Sequence, residues 1–269
     1  MQPIQAQEGW FVLHTFYRVD RELWGKHRPE ALVRSRQGLA RMLESFHQGE
    51  NCQARLYAIL GHKADFGVMA IDPELNHLNH FENDFLAVFP PGVLQTVYSY
   101  MSMSEISEYV TQEKDYDRTL REKDGLQADS LEYQEKMEAY RERMRFYVKD
   151  RLFPHFPEHK VMCFYPMNKA RGESKNWYTL DFDVRKQLMG GHMITGRKFA
   201  GKVKQLVTGS AGLDDWEWGV TLFSDDPYYL KKIVYDMRFD EVSAVYGEFG
   251  EFRLGVCLET EELLDRLKL

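Results

Sequence analysis

The sequence predicts an α+β protein in which two tandem ferredoxin-like (βαββαβ) units pair their sheets back to back into a dimeric α+β barrel. Three observations carry this expectation. The same order of strand-like and helix-like segments occurs twice, a charge-dense segment separates the two runs, and a short motif echoes between them. The echo is Phe66, Gly67, Val68 ahead of Pro73, which returns as Trp218, Gly219, Val220 ahead of Pro227, about 150 residues later. With 269 residues, 43% of them apolar, the chain can fill the cores of two such units.

The first run opens with a strand over Trp10–Val19, followed by helical spacing of Leu32, Leu39, Met42, Leu43 and Phe46 in the segment Pro29–Phe46. Two short strands, Arg55–Leu60 and Phe66–Ile71, flank a turn. Pro73, well placed in a first turn, opens a helix to about Val88, and a long strand starts at Val93. From Thr111 to Arg145 charges crowd together with few apolar residues, which reads as a solvated helix joining two halves. The pattern then returns: strand Lys160–Met167, helix Asp181–Phe199, strands Lys202–Thr208 and Glu217–Phe223, helix Pro227–Met237, strand Glu241–Cys257. The expected organisation is residues 1–110, a linker over 111–159, and residues 160–269.

Composition narrows the function. Lys and Arg total 35 against 42 Asp and Glu, so no general field draws nucleic acid or an anionic membrane, and any anionic substrate must be met by local cations. The three cysteines, Cys52, Cys163 and Cys257, are odd in number, widely spaced and free of a CxxC pair. That suits a reducing compartment, and the cytoplasm is the expectation. The opening MQPIQAQEGW lacks the basic and apolar regions of a secretory signal. The uncharged stretch Phe85–Ser104 is broken by Pro90, Pro91 and Gly92, so no membrane span is expected. Neither a GxGxxG following a strand nor a GxxxxGK[ST] or GxSxG motif is present, which removes the usual nucleotide cradles and the serine-hydrolase elbow.

Two places could carry chemistry. A strand period of two puts Tyr165, Met167 and Lys169 on one face if the extended geometry persists past Pro166, so a phenol, a thioether and an ammonium would point the same way. A strand leaving the core, with a half-buried tyrosine and a solvated lysine, accounts for the same spacing. Gly190 and Gly191 interrupt a helical segment at a cost of roughly 1 kcal/mol each, which suggests a flat or bulky group passing near the backbone. His192 follows them on the apolar stripe of Val184 and Leu188. A histidine there is commonly a satisfied core residue, and imidazole is also the usual axial donor to haem iron. His77 and His80, at i and i+3 on a helix, could share a metal but read as surface residues without paired carboxylates.

The segment YPMNK (Tyr165 to Lys169), the run from Gly191 to Phe223 and MRFDEVSAVYGEFGEF from Met237 closely resemble the coproheme decarboxylases of the chlorite dismutase superfamily, in their firmicute type. The resemblance covers most of the C-terminal half with long runs, while the N-terminal half matches in element order. It implies peroxide-dependent oxidative decarboxylation of two propionates of iron coproporphyrin III (coproheme) to vinyls, giving haem b in bacterial haem biosynthesis. The iron porphyrin would be both substrate and redox centre. It also implies a homopentamer and transient contact with coproporphyrin ferrochelatase.

Carried over by position, His192 matches the axial ligand of the porphyrin iron, and Tyr165 the tyrosine whose radical abstracts hydrogen from the propionate. Lys169 matches the lysine that grips the reacting carboxylate. Arg151 and Ser243 correspond to residues that hold propionates, and Met167, with Pro166 and Asn168 beside it, to the pocket lining. Gln205 matches the distal position above the iron, where chlorite dismutases carry an arginine and the actinobacterial decarboxylases a histidine. Glutamine is a neutral donor, which favours the decarboxylase over the chlorite dismutase or haem peroxidase alternative. A non-catalytic haem-binding protein is the other alternative. No acidic partner for the His192 ring is evident in the sequence.

Overall fold

The computed structural model describes residues 2–269. In the first unit, strands β1 (Phe11–Val19), β2 (Gln53–Ile59), β3 (Phe66–Asp72) and β4 (Leu94–Ser104) pair antiparallel in the order β4-β1-β3-β2. Crossing helices Pro29–His47 and Leu75–Ala87 cover one face. Pro29 occupies the first turn, where a missing N–H costs nothing. The second helix instead starts after Glu74, whose carboxylate accepts from the backbone N–H groups of Asn76 and His77, so Pro73 lies just outside it.

The second unit repeats the order. Strands β5 (Val161–Lys169), β6 (Lys204–Gly209), β7 (Trp218–Ser224) and β9 (Arg253–Leu258) run β9-β5-β7-β6, with helices Phe182–Arg197 and Pro227–Met237 above them. Short β8 (Gly247–Phe249) pairs antiparallel with the end of β5, Met167 to Lys169. The pairings β2–β9 and β4–β6 join the units, and β5–β7 closes the circuit, so the sheet is a barrel with each unit contributing four strands.

The single strand expected over Glu241–Cys257 is divided instead: a helical turn Glu241–Tyr246 precedes β8 and β9. Pro166 falls between the β5–β9 and β5–β8 pairings, where a residue without an N–H disturbs the ladder least, and β5 therefore stays extended through Lys169.

Alternation along the strands sorts the side chains into layers. Val12, Phe16, Met69, Tyr100, Met162, Phe164 and Phe223 fill the barrel. On the outer face of the first unit, Tyr17, Leu39, Leu43, Phe66, Phe81 and Phe85 make a closed core under the helices. The second unit's matching layer is much smaller, gathered around Leu222, Leu230 and Ile233. Its helix Phe182–Arg197 buries only Thr195 and Gly196, whereas the corresponding Pro29–His47 buries Ser35, Leu39, Leu43 and Phe46. The second helix is thus seated on the sheet at its C-terminal end and raised elsewhere.

The segment expected to be a solvated linker is helical at Glu113–Arg118 and again over Leu131–Leu152. The long helix is not wholly solvated, because Met137, Tyr140 and Leu152 are buried. Among the described residues no helix is long and apolar enough to cross a membrane.

Candidate functional site

The raised helix leaves a cavity of about 1860 Å³ between itself, the outer face of β5, β6 and β7, and the helix Leu131–Leu152. Pockets for drug-sized ligands span roughly 300 to 1,000 Å³, so this one has room for a larger ligand. Tyr165, Met167 and Lys169 line it together, as the period of two on β5 requires. Gln205 and Val207 on β6, His192 on the raised helix, Ser243 on the short helical turn and Arg151 at the end of the long helix line it as well.

Two expected residues are elsewhere. Pro166 and Asn168, at the intervening β5 positions, do not line the cavity: the Pro166 carbonyl accepts from Gly250 N–H, and Asn168 Oδ1 accepts from Glu217 N–H at 2.7 Å. The glycine pair also departs from expectation. Helix positions 185, 189, 192, 193, 196 and 197 face the cavity, leaving Gly190 and Gly191 on the far side, where a Cβ at either would meet nothing within 4 Å. Gly196 is the position of close approach, since a Cβ there would sit 3.1 Å from Met237 Cε and 3.3 Å from Gln205 Nε2.

The His192 ring has an acidic partner that the sequence did not disclose. Nδ1 lies 3.0 Å from Asp240 Oδ2, and Asp240 Oδ1 accepts from the Thr195 hydroxyl at 2.8 Å. Nδ1 is thereby occupied, and Nε2 is the nitrogen left to meet a ligand. Burial, with the Lys169 charge next in weight, lowers the imidazole pKa against the opposing pull of Asp240, so the ring is held in its neutral, donor form.

Lys169 is 7% exposed, carries no carboxylate partner among the described residues, and places Nζ 5.0 Å from the centre of the Trp177 ring. Burial pushes its ammonium down to about 8. Arg151 is similarly uncommitted: its Nε is buried without an acceptor, and its guanidinium stands 6.0 Å from the Tyr147 ring centre. A buried cation without a counter-charge is costly unless an anion joins it, so Lys169 points to an anionic ligand, and half-buried Arg151, with the Glu105 carboxylate nearby in the same cavity, can join it there. Tyr165 stacks on Phe252 at 4.3 Å, and burial raises its phenol well above the ordinary tyrosine range, keeping the O–H intact. The linker helix adds Tyr140, Arg143 and Tyr147, which sequence reading left among solvated residues. Their spacing of three and four would have marked a helix face turned inward.

A comparison with solved structures places this architecture among known proteins. A heme-binding protein from Thermus thermophilus is 37% identical over 100% of this chain and 98% of that one, with a TM-score of 0.80. A mutant chlorite dismutase from Candidatus Nitrospira defluvii shares the fold at 16% identity, covering 98% of each chain, with a TM-score of 0.73. The family model described as chlorite dismutase matches residues 33–258, and the chain therefore belongs to the chlorite dismutase family.

Proposed function

We propose that the protein binds an iron porphyrin and, as a coproheme decarboxylase, converts two propionates of iron coproporphyrin III to vinyls with hydrogen peroxide, releasing two carbon dioxides and giving haem b. The observation that carries this reading is the uncompensated Lys169 beside Tyr165 on one strand face of a cavity whose opposite wall presents His192. The donor set fits the group: a neutral imidazole with its outer nitrogen occupied, two uncommitted cations, and a large cavity. A relative that binds heme supports the same ligand.

When bound, the iron porphyrin supplies the one-electron oxidations, peroxide being the oxidant. His192 holds it from the raised helix, and Asp240 fixes the ring's tautomer. Lys169 and Arg151 would take carboxylates, and the Ser243 hydroxyl, which lines the same cavity, would donate to another. Tyr165 keeps its O–H in a dry setting and serves, once oxidised, as acceptor of a hydrogen atom from the propionate carbon next to the ring. Each round removes one carbon dioxide, one proton and two electrons from a propionate, and one peroxide with two protons accepts those electrons to give two waters. Gln205 lines the same cavity with a neutral amide and would lack the fixed charge suited to handling chlorite. The homopentamer and the ferrochelatase contact belong to the same proposal, and light scattering tests the first.

The test loads the full-length protein with ferric coproporphyrin III and titrates hydrogen peroxide while product mass is followed. Two successive losses of carbon dioxide with two hydrogens are expected, and Tyr165→Phe is expected to bind the porphyrin without either loss. Normal turnover by that variant would overturn the role of Tyr165, and absence of any mass loss in the parent protein would leave a heme-binding protein only.

A further inference from the structure

We propose that the first unit carries a second metal site, built by Cys52, Asp72 and His77 for a single zinc-type divalent ion. The three side chains come from separate elements: Cys52 from the turn ahead of β2, Asp72 from the end of β3, and His77 from the first turn of the helix Leu75–Ala87. Cys52 Sγ lies 3.2 Å from Asp72 Oδ2 and 3.6 Å from His77 Nδ1, and His77 Nδ1 lies 2.8 Å from the same Asp72 oxygen. With zinc bonds of about 2.3 Å to sulfur and about 2.0 to 2.2 Å to nitrogen and oxygen, a tetrahedron has ligand-to-ligand edges of roughly 3.4 to 3.6 Å. The two sulfur edges are close to that. The third lengthens by a small swing of His77, whose side chain is 45% exposed and free to make it.

The surroundings suit a cation better than they suit three side chains alone. Asp72 is fully buried, with neither Lys nor Arg against it among the described residues, so its charge is offset only by backbone N–H donation from Glu74 to Oδ1, the thiol, and a half-exposed imidazole. Gly49 shapes the pocket for the sulfur, because a Cβ there would fall 2.6 Å from Cys52 Sγ. Buried Phe46 packs against the imidazole at 5.2 Å between ring centres. Without a cation the thiol keeps its proton and donates it to Asp72 Oδ2. A divalent ion reverses that balance: the thiolate forms, its proton leaves to solvent, and sulfur, nitrogen and oxygen close on the metal. Exposure of His77 leaves a fourth coordination position open to water.

The site is separate from the porphyrin cavity, since none of its residues lines that space and its unit's helical layer is otherwise closed. The experiment strips the full-length protein with a chelator, then titrates cobalt(II) alone and, separately, zinc(II) alone. One cobalt per chain is expected, with a near-ultraviolet thiolate-to-cobalt charge-transfer band that survives Cys163→Ser and His192→Ala and vanishes in Cys52→Ser. His77→Ala, at a half-exposed position and thus a safe variant for folding, should weaken zinc by at least the roughly 10- to 100-fold that outer ligand partners alone are worth. A parent protein without the band, a band that persists in Cys52→Ser, or unchanged zinc affinity in His77→Ala would each overturn the site.

Discussion

Asp240 holds His192 by a 3.0 Å contact to Nδ1 while its other oxygen takes the Thr195 hydroxyl at 2.8 Å, so the imidazole, the carboxylate and the helix that carries the ring form one rigid unit. The carboxylate raises the basicity of the nitrogen on the far side of the ring. Asp240→Asn keeps the shape and removes the charge. Haem affinity should fall about 10- to 100-fold, and the iron–histidine stretch in the resonance Raman spectrum should move to lower frequency. An unchanged stretch would mean that Asp240 only packs.

The burial of the Lys169 ammonium works against stability. Burial lowers its pKa from the ordinary value of 10.5 to about 8 in the folded chain. The unfolded chain therefore holds the extra proton between those values, and stability rises with pH across that window, the burden being fully present below it. Lys169→Met should raise the unfolding temperature of the ligand-free protein at pH 7. The gain should shrink as pH climbs from 8 to about 10.5. The same variant should bind coproporphyrin about 10- to 100-fold more weakly, as loss of a charge-assisted bond requires. Differential scanning calorimetry over pH, with a binding titration, separates the two effects.

Much of this arrangement was legible in the sequence because it rests on local periodicity. The period of two that joins Tyr165, Met167 and Lys169 is a property of any strand, and the repeated element order already implied two four-stranded sheets. Long-range geometry was not legible. Asp240 is 48 residues from His192, and nothing in the local pattern announces that the two helical elements meet. The layering of the linker helix was obscured by its charge: Tyr140 and Met137 face inward from a segment whose exposed positions are mostly charged, Leu131 and Phe146 excepted. His77 read as a surface residue because half of it is one. Its buried partners, Cys52 and Asp72, arrive from other elements. The strand assigned to Glu241–Cys257 failed at Glu241–Tyr246 because the segment's apolar residues fit either period over so short a span.

Arg151 separates binding from folding in the opposite sense to a core residue. Its Nε has no acceptor and its guanidinium no ion pair among the described residues, and the half-buried charge is near only the Glu105 carboxylate, so Arg151→Ala should leave the unfolding temperature of the ligand-free protein nearly unchanged. Porphyrin binding should weaken by about 2 to 3 kcal/mol, or roughly 30- to 150-fold. Mesoporphyrin-type ligands with fewer carboxylates should be less affected than the tetracarboxylate. Equal losses for both would show that Arg151 acts through packing on Tyr147 and not through a carboxylate.

The two glycines ahead of His192 give the last prediction. Their conformations are ordinary helical ones, and each Cβ would project into open space, so neither position needs glycine for backbone geometry or for close packing within the chain. Alanine in a helix is favoured over glycine by about 1 kcal/mol per site. Gly190→Ala and Gly191→Ala should each stabilise the monomeric fold by about that amount, read as a higher denaturant midpoint at unchanged slope, while porphyrin affinity stays the same because both positions face away from the cavity. If the double variant instead loses stability or changes its sedimentation behaviour, the bare backbone at Gly190 and Gly191 is the seat of a contact with another chain. The glycines would then be retained for that approach and not for the porphyrin.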